Sequence, residues 1–384
     1  MALLKRRTVL GAKVESVYGT AVTPAASDAI MVEDVVFAPT IDVVERAAQT
    51  ESIGYPAPQL GARTASVSFK ARLHGSGTAG TAPPMGTLLK GCGLSELTDT
   101  STQVLYEPQD QNSDMASLTI VIWQDGLKNV LAGCRGRVSF AMEMGQTGTA
   151  EFTFEAKSYT YSDEAMPTGA YSTIIPPVCL NANFTMGNHA SIIPSLNIAI
   201  ENTLSRAPSV NEAFGYARVD ITDRKVTGSF APEAELIASK DWYTIWSGGT
   251  KNDFSIQMGA VAGNIVKFTA PQVIFTGFSH DDRGGVLVHT IPFRCAELAT
   301  VISGAADAGT GASTIKDATY FTTNDLYNGA RLTFNTGTYA AKARIISDTV
   351  ASTTQVTLET ALGGVPAPAD VFTISKKEIQ LLFK

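Results

Sequence analysis

The feature that most limits what this chain can fold into is its hydrophobic period. Apolar and polar residues alternate along 118–123, 138–144, 151–157, 254–258, 273–278 and 286–293. A period of two sends successive side chains to opposite faces of a β-strand, so each run reads as a strand with one buried and one solvated face. Gly, Asp, Asn or Pro breaks the runs, as turns require. Helical spacing is confined to two short stretches, 84–90 and 239–247. The expected class is mainly β, with one short α-helix per domain.

The elements also recur in order. The first half reads as a strand (64–74), a helix (84–91), a strand (117–123), a turn at Asp125-Gly126, strands (127–133 and 137–144), a turn at Gly148 and a strand (150–157). The second half reads as a strand (224–231), a helix (239–247), a strand (253–258), a turn at Ala262-Gly263, strands (264–270 and 272–279), a turn at Gly284-Gly285 and a strand (286–294). Gly126 and Gly148 are 22 residues apart, as are Gly263 and Gly285, so one offset of 137 residues aligns two turns. The expected organisation is an N-terminal arm with edge strands (1–60), a first repeat (61–170) and a second repeat (171–300). A flexible linker rich in Gly, Ala and Ser (303–313) and a small C-terminal all-β domain (314–384) follow. Residues 1–60 read equally as an arm packed on a neighbour and as edge strands of the same subunit.

Composition narrows the function. A chain of 384 residues can hold two or three domains. A formal net charge of −7 does not suit a surface that grips nucleic acid by neutralising phosphates. Cys92, Cys134, Cys179 and Cys295 form no C-x-x-C pair, and the four histidines form no H-x-x-x-H, so no metal site is expected. Lys5-Arg6-Arg7 precedes an apolar run too short for a signal peptide, and no stretch approaches the ~18 apolar residues of a membrane span. The expectation is an unexported protein with reduced cysteines and no membrane partner.

Several motifs invite an enzymatic reading. Gly75, Gly77 and Gly80 fit G-x-G-x-x-G after a strand, where backbone could approach a pyrophosphate. Pro83 and Pro84 remove two N–H groups that phosphate would need, no Lys-Ser or Lys-Thr closes the run, and no βαβ unit surrounds it. A mobile surface loop is expected instead. Glu143, Glu151 and Glu155 could offer a glycosidase carboxylate pair, but any acidic sheet face offers that spacing. His280-Asp281-Asp282-Arg283 places successive residues where one ion would need convergence, and a hairpin turn suits it better. Trp242, Tyr243 and Trp246 have the spacing of a helix face packed on a sheet. There is no G-x-S-x-G elbow. No catalytic residue, cofactor or metal is expected, and the chain is not read as an enzyme.

The strings LGAKVESVYGTAVTP (10–24), SDAIMVEDV (27–35), VVERAA (43–48), GSGTAGTAPPMGTLLKGCG (75–93) and GAVAGNIVKFTAPQV (259–273) lie in order along most of the chain. In wording and sequence they resemble the tail tube (major tail) proteins of long-tailed, siphovirus-type bacteriophages. The resemblance implies two tandem tail-tube-type β-sandwich or half-barrel domains whose sheets join those of neighbours into a closed barrel. It implies stacked rings forming a conduit for double-stranded DNA, which passes without specific binding. The duplication favours a trimeric ring with pseudo-six-fold symmetry, a hexameric ring being the alternative. Tape measure and tail terminator proteins are the other implied partners, in a virion assembled in the host cytoplasm. The C-terminal domain resembles small β modules appended to phage virion proteins. A bacterial surface or carbohydrate-binding β module is the rival reading, and the missing signal peptide counts against it.

A DNA channel needs walls that do not hold phosphates. On strands 138–144 and 150–157 the polar face carries Glu143, Glu151, Thr153 and Glu155, which are the candidate lumen residues. The offset of 137 maps them to His280, Val288, Thr290 and Pro292, a much less acidic set. The long polar segment 97–116, with Asp99, Glu107, Asp110 and Asp114, is the candidate loop for reaching an adjacent ring.

Overall fold

The structure, a computed structural model, describes residues 3–99, 102–298 and 302–384. The first half opens with β1 (Thr8–Val14), β2 (Ala29–Ile30), β3 (Glu33–Val44) and β4 (Gln59–Arg72), then α1 (Gly86–Gly91). A hairpin of β5 (Leu94–Asp99) and β6 (Gln103–Pro108) leads to β7 (Leu118–Gln124), β8 (Leu127–Glu143), β9 (Thr149–Ala156) and β10 (Ser158–Asp163). After β11 (Thr185–Met186) the second half contains β12 (Ser195–Pro208), β13 (Tyr216–Phe230), α2 (Trp242–Ser247) and β14 (Asn252–Met258). β15 (Val266–Phe275), β16 (Ser279–Arg283) and β17 (Val286–Cys295) complete its ladder. A small sheet follows, from β18 (Ile302–Ala305), β19 (Thr314–Lys316), β20 (Arg331–Phe334), β21 (Ala343–Val350), β22 (Gln355–Leu358) and β23 (Val371–Ile374). The last strand is β24 (Gln380–Phe383). The fold is mainly β with two short helices, as the alternation requires.

Turn chemistry sets two hairpins. Asp125 and Gly126 have φ of 46° and 111°, and Gly284 and Gly285 have 63° and 88°. Positive φ at both central residues matches the twist of the flanking strands. The predicted break between 127–133 and 137–144 does not occur: β8 is one strand of 17 residues. Its first part pairs with β7 and β10, and its last part with β9 and β12. A strand shared in this way curls the sheet into a half-barrel. In the second half the break falls between β15 and β16, later than the sequence suggests.

The two halves repeat one ladder. β3, β4, β9, β8 and β7 pair in that order, and so do β12, β13, β17, the β15–β16 pair and β14. The same bulge interrupts both: Leu118 faces Cys134 while Ile120 faces Leu131, and Asn252 faces Val273 while Phe254 faces Ala270. The offset is therefore 134 residues for β7 and 139 for β8, not 137 throughout, because the β14–β15 connection is longer than the Asp125-Gly126 turn. Following the register onward, β9 corresponds to β17 at 139, and β3 and β4 to β12 and β13 at 161. An extra residue before β16 raises its offset to 140. Arg283, Thr290, Pro292 and Arg294, rather than His280, Val288, Thr290 and Pro292, then take the places of Glu143, Glu151, Thr153 and Glu155.

β10 lies against the first part of β8, and β24 lies in the same place against β15. Only Lys157 separates β9 from β10, whereas residues 296–379 separate β17 from β24. The small domain is thus inserted into the second repeat rather than appended after it. Its entry and exit lie side by side, Leu298 N–H donating to the Lys376 carbonyl at 3.0 Å. The expected flexible linker at 303–313 belongs to the folded domain. β18 pairs with β23, and Asp307 N–H bonds the Lys316 carbonyl. Gly304 is there because a Cβ would strike the Phe372 ring and the Asp317 carboxylate.

One apolar core runs through both halves, with Phe69, Phe140, Phe152, Phe154, Phe254, Phe268 and Phe293 fully buried. The small domain has its own core around Phe321, Phe334 and Phe372. Residues near the N-terminus are built into the body: β1 pairs with β7, and Leu10 and Ala12 enter the main core.

Candidate assembly surfaces

The sheet through β3, β4, β9, β8, β12 and β13 has one dry and one wet face. Val67, Phe69, Phe152, Phe154, Val138, Phe140, Ile198 and Ile200 are buried. Ser66, Ser68, Lys70, Glu151, Thr153, Ser139, Ala141, Glu143, Asn197 and Glu201 alternate with them on the other side. The structure brings Glu143, Glu151, Thr153 and Glu155 onto that wet face together. Three of them have basic neighbours: Glu151 stands opposite Lys70, Thr153 opposite Arg137, and Glu155 is 3.0 Å from Arg206, while Glu143 stands opposite Ser195. Glu201 likewise stands opposite Lys225. The face is charge-balanced rather than acidic. Glu151 and Glu155 are four residues apart along one strand, about 13 Å, which is too far for a cooperating carboxylate pair.

The segment 97–116 is not a free loop. Most of it is the β5–β6 hairpin, whose second strand, β6, pairs with β24. Asp99 and Glu107 are buried and face the inserted domain. Asp99 accepts from Lys342 and Arg344. Burial alone would raise its carboxyl pKa, but those two bases outweigh it and hold the group below its ordinary value. Glu107 accepts two bonds from Arg331, at 2.8 and 2.9 Å. Asp110 pairs with Lys377 and lies 3.5 Å from Arg224. Asp114 is exposed and accepts from Ser113 at 3.1 Å. The sequence gives the acids but not their basic partners, which lie more than 200 residues away for Asp99 and Glu107.

The glycine motif joins the two halves. Gly75 N–H donates to Asn264 Oδ1 at 3.0 Å, and Gly77 N–H to the Gly263 carbonyl at 2.9 Å. The donors a phosphate would use are engaged, and the loop is a packed contact instead of a mobile one. Gly75 and Gly263 are required because a Cβ on either would collide with the other's loop backbone. Trp242 is buried against Phe230 and Phe275, as a helix face packed on a sheet should be. His280, Asp281 and Asp282 lie on strand β16, and Gly284-Gly285 makes the turn. Among the described residues no group of His, Cys, Asp and Glu is arranged to hold a metal, and all four cysteines are buried and unpaired.

The ladder that runs through both halves, from β3 to β16, has an open strand at each end. Among the described residues β3 pairs only with β4, and β16 only with β17. β3 is 12 residues long and exposes Val36, Ile41, Val43 and Val44. An open edge of that length is a template for another strand. Comparison with curated proteins finds no match. A family model described as phage tail tube protein matches residues 5–335, spanning both repeats and ending just after β20. The doubled half-barrel with open edges thus belongs to the phage tail tube protein family, whose members are structural and not enzymes.

Proposed function

We propose that this chain closes into rings through its sheets and that stacked rings form the conduit through which a phage delivers its genome. The observation that carries this reading is the β8·β12 ladder, which joins two like half-barrels edge to edge while β3 and β16 stay open at the two ends. With two half-barrels per chain, three copies complete a pseudo-six-fold ring. A ring of six chains is the alternative. Sealing the edges in a closed ring removes the hazard they carry.

The wet face, with Glu143, Glu151, Thr153 and Glu155, lines the bore in this reading. Small polar side chains and interspersed charges of both signs leave no one-signed cationic surface to hold phosphates, so double-stranded DNA slides without being bound. Of the acidic segment, the exposed stretch around Asp114 is free to touch an adjacent ring. Asp99, Glu107 and Asp110 instead act indirectly by fixing the inserted domain on the outer wall. Tape measure and tail terminator proteins would set tube length and end, in a virion assembled in the host cytoplasm.

Electron microscopy of the purified protein tests this. Hollow tubes or stacked rings, with Glu151 and Glu155 facing the bore in an averaged map, are expected. Persistent monomers would overturn the assembly reading in favour of a surface or carbohydrate-binding module. Finding the glutamates on the outer wall would overturn the lining.

A further inference from the structure

We infer that the seam between neighbouring copies repeats the internal β8·β12 ladder residue for residue, with β3 of one copy paired antiparallel to β16 of the next. The inference rests on the ring reading above and adds the strands and their register. β3 corresponds to β12, and β16 to the last part of β8. Inside the chain, Asn197 faces Ala141, Ile198 faces Phe140 and Ala199 faces Ser139. Carrying each residue to its counterpart places Val36 opposite Asp281, Phe37 opposite His280 and Ala38 opposite Ser279 of the next copy.

The exposure of the two seams fits this. Phe140 and Ile198 are each 1% exposed where the internal ladder exists. Their counterparts are not covered: His280 is exposed and Phe37 only half-buried. His280 already lies 5.3 Å from Phe278 and 5.0 Å from His289, ring centre to ring centre. Phe37 arriving opposite would extend that stack as Ile198 covers Phe140 inside the chain. The seam has defined ends. Pro39 has no N–H to donate, and at Asp34 the strand bulges with a φ of 54°.

The test is a register-specific crosslink. Directly opposed residues on antiparallel strands have Cα atoms about 4.5–5.5 Å apart, within disulfide range. Val36→Cys with Asp281→Cys, allowed to assemble and then oxidised, is expected to give covalent multimers on a non-reducing denaturing gel, and the largest closed species counts the copies per ring. Each single variant, and Val36→Cys with Arg283→Cys, which is two residues out of register, should stay monomeric. Rings that form normally while the in-register pair stays uncrosslinked and the out-of-register pair links would overturn the register. If the variant does not assemble, hydrogen exchange on the unaltered protein decides. Amides at 34–38 and 279–283 should slow by about tenfold or more between free subunit and tube. Unchanged exchange in both segments would refute the seam. Absence of rings from the unaltered protein would instead remove the ring reading beneath it.

Discussion

Arg331 grips Glu107 across the boundary between the inserted domain and the β5–β6 hairpin, Nη2 donating to Oε1 at 2.8 Å and Nε to Oε2 at 2.9 Å. Leu105, Ile345 and Leu382 pack together nearby. A buried pair of this kind adds little over apolar packing, but breaking it strands a charge. Glu107→Ala should therefore lower stability by about 3–5 kcal/mol in denaturant unfolding. Glu107→Ala with Arg331→Met should recover much of the loss. Equal stability of Glu107→Ala and the unaltered protein would show that the domain is held by something else.

The same boundary should be acid-sensitive. Asp99 and Glu359 are both pushed up by burial, yet are held below their ordinary values overall, Asp99 by Lys342 and Arg344, Glu359 by Lys384 and Lys267. Groups with depressed pKa stabilise the folded state above the unfolded carboxyl value, about 4, and lose that contribution as pH falls through the folded value. The small domain should undock below about pH 4, seen as faster amide exchange in β5, β6 and β21 before the main core opens. Asp99→Asn should weaken that dependence. A domain whose exchange protection does not fall as pH drops below about 4 would contradict it.

Asp253 acts with the opposite sign. Burial raises its pKa to about 6, with the Asp325 and Asp348 carboxylates adding to the effect. The folded state holds this proton more tightly than the unfolded chain does. Its contribution is full below about pH 4 and is lost as pH rises through 6. Asp253→Asn should leave stability at pH 4 nearly unchanged and raise it at pH 7 by on the order of 1 kcal/mol. An equal effect at both pH values would mean that the carboxyl titrates normally.

What the sequence disclosed follows from which interactions are local. Alternation and glycine turns act within a few residues, so β7, β9, β14, β17 and the hairpins at Asp125-Gly126 and Gly284-Gly285 were legible. The single strand β8 was not, because Gly133 and Gly136 look like turn residues. At Gly136 the real constraint is the Phe154 ring, which a Cβ would strike. The charge of the wet face was half legible: Glu151 and Glu155 share a face, but Lys70 joins them only through the β4–β9 pairing. The insertion of the small domain was hidden because β24 is recognised as the partner of β15 only by long-range pairing. Gly-rich composition at 303–313 reads as flexibility, while the fold uses Gly304 for close packing.

Gly75 separates the packing reading of its loop from the phosphate reading. Its φ is not in the left-handed region, so Gly75→Ala meets no backbone strain and acts only through collision with the Gly263 carbonyl. Backbone on both sides leaves nothing flexible to yield. The expected loss is above about 2 kcal/mol, more than Gly126→Ala, where φ is 111° but the space is open. Thermal unfolding of the two variants decides it. A Gly75→Ala protein as stable as the unaltered one would mean that the halves do not meet there.

The inserted domain and the strand that follows it should be separable by deletion. Leu298 and Lys376 are hydrogen-bonded neighbours, so replacing 302–375 with a short Gly/Ser link closes the gap without moving β24. Asp99 and Glu107 lose their partners in that variant, but they also become solvated, so neither charge is left buried. The main core keeps Leu381 and Phe383. Truncation after 298 removes those side chains as well and leaves β6 and β15 with unpaired edges. The excised protein should therefore fold and form rings of reduced diameter, while the truncated one should aggregate. Circular dichroism and electron microscopy of both report the outcome. Normal rings from the truncation would show that β24 is dispensable, and that the second repeat is complete without the strand that β10 supplies to the first.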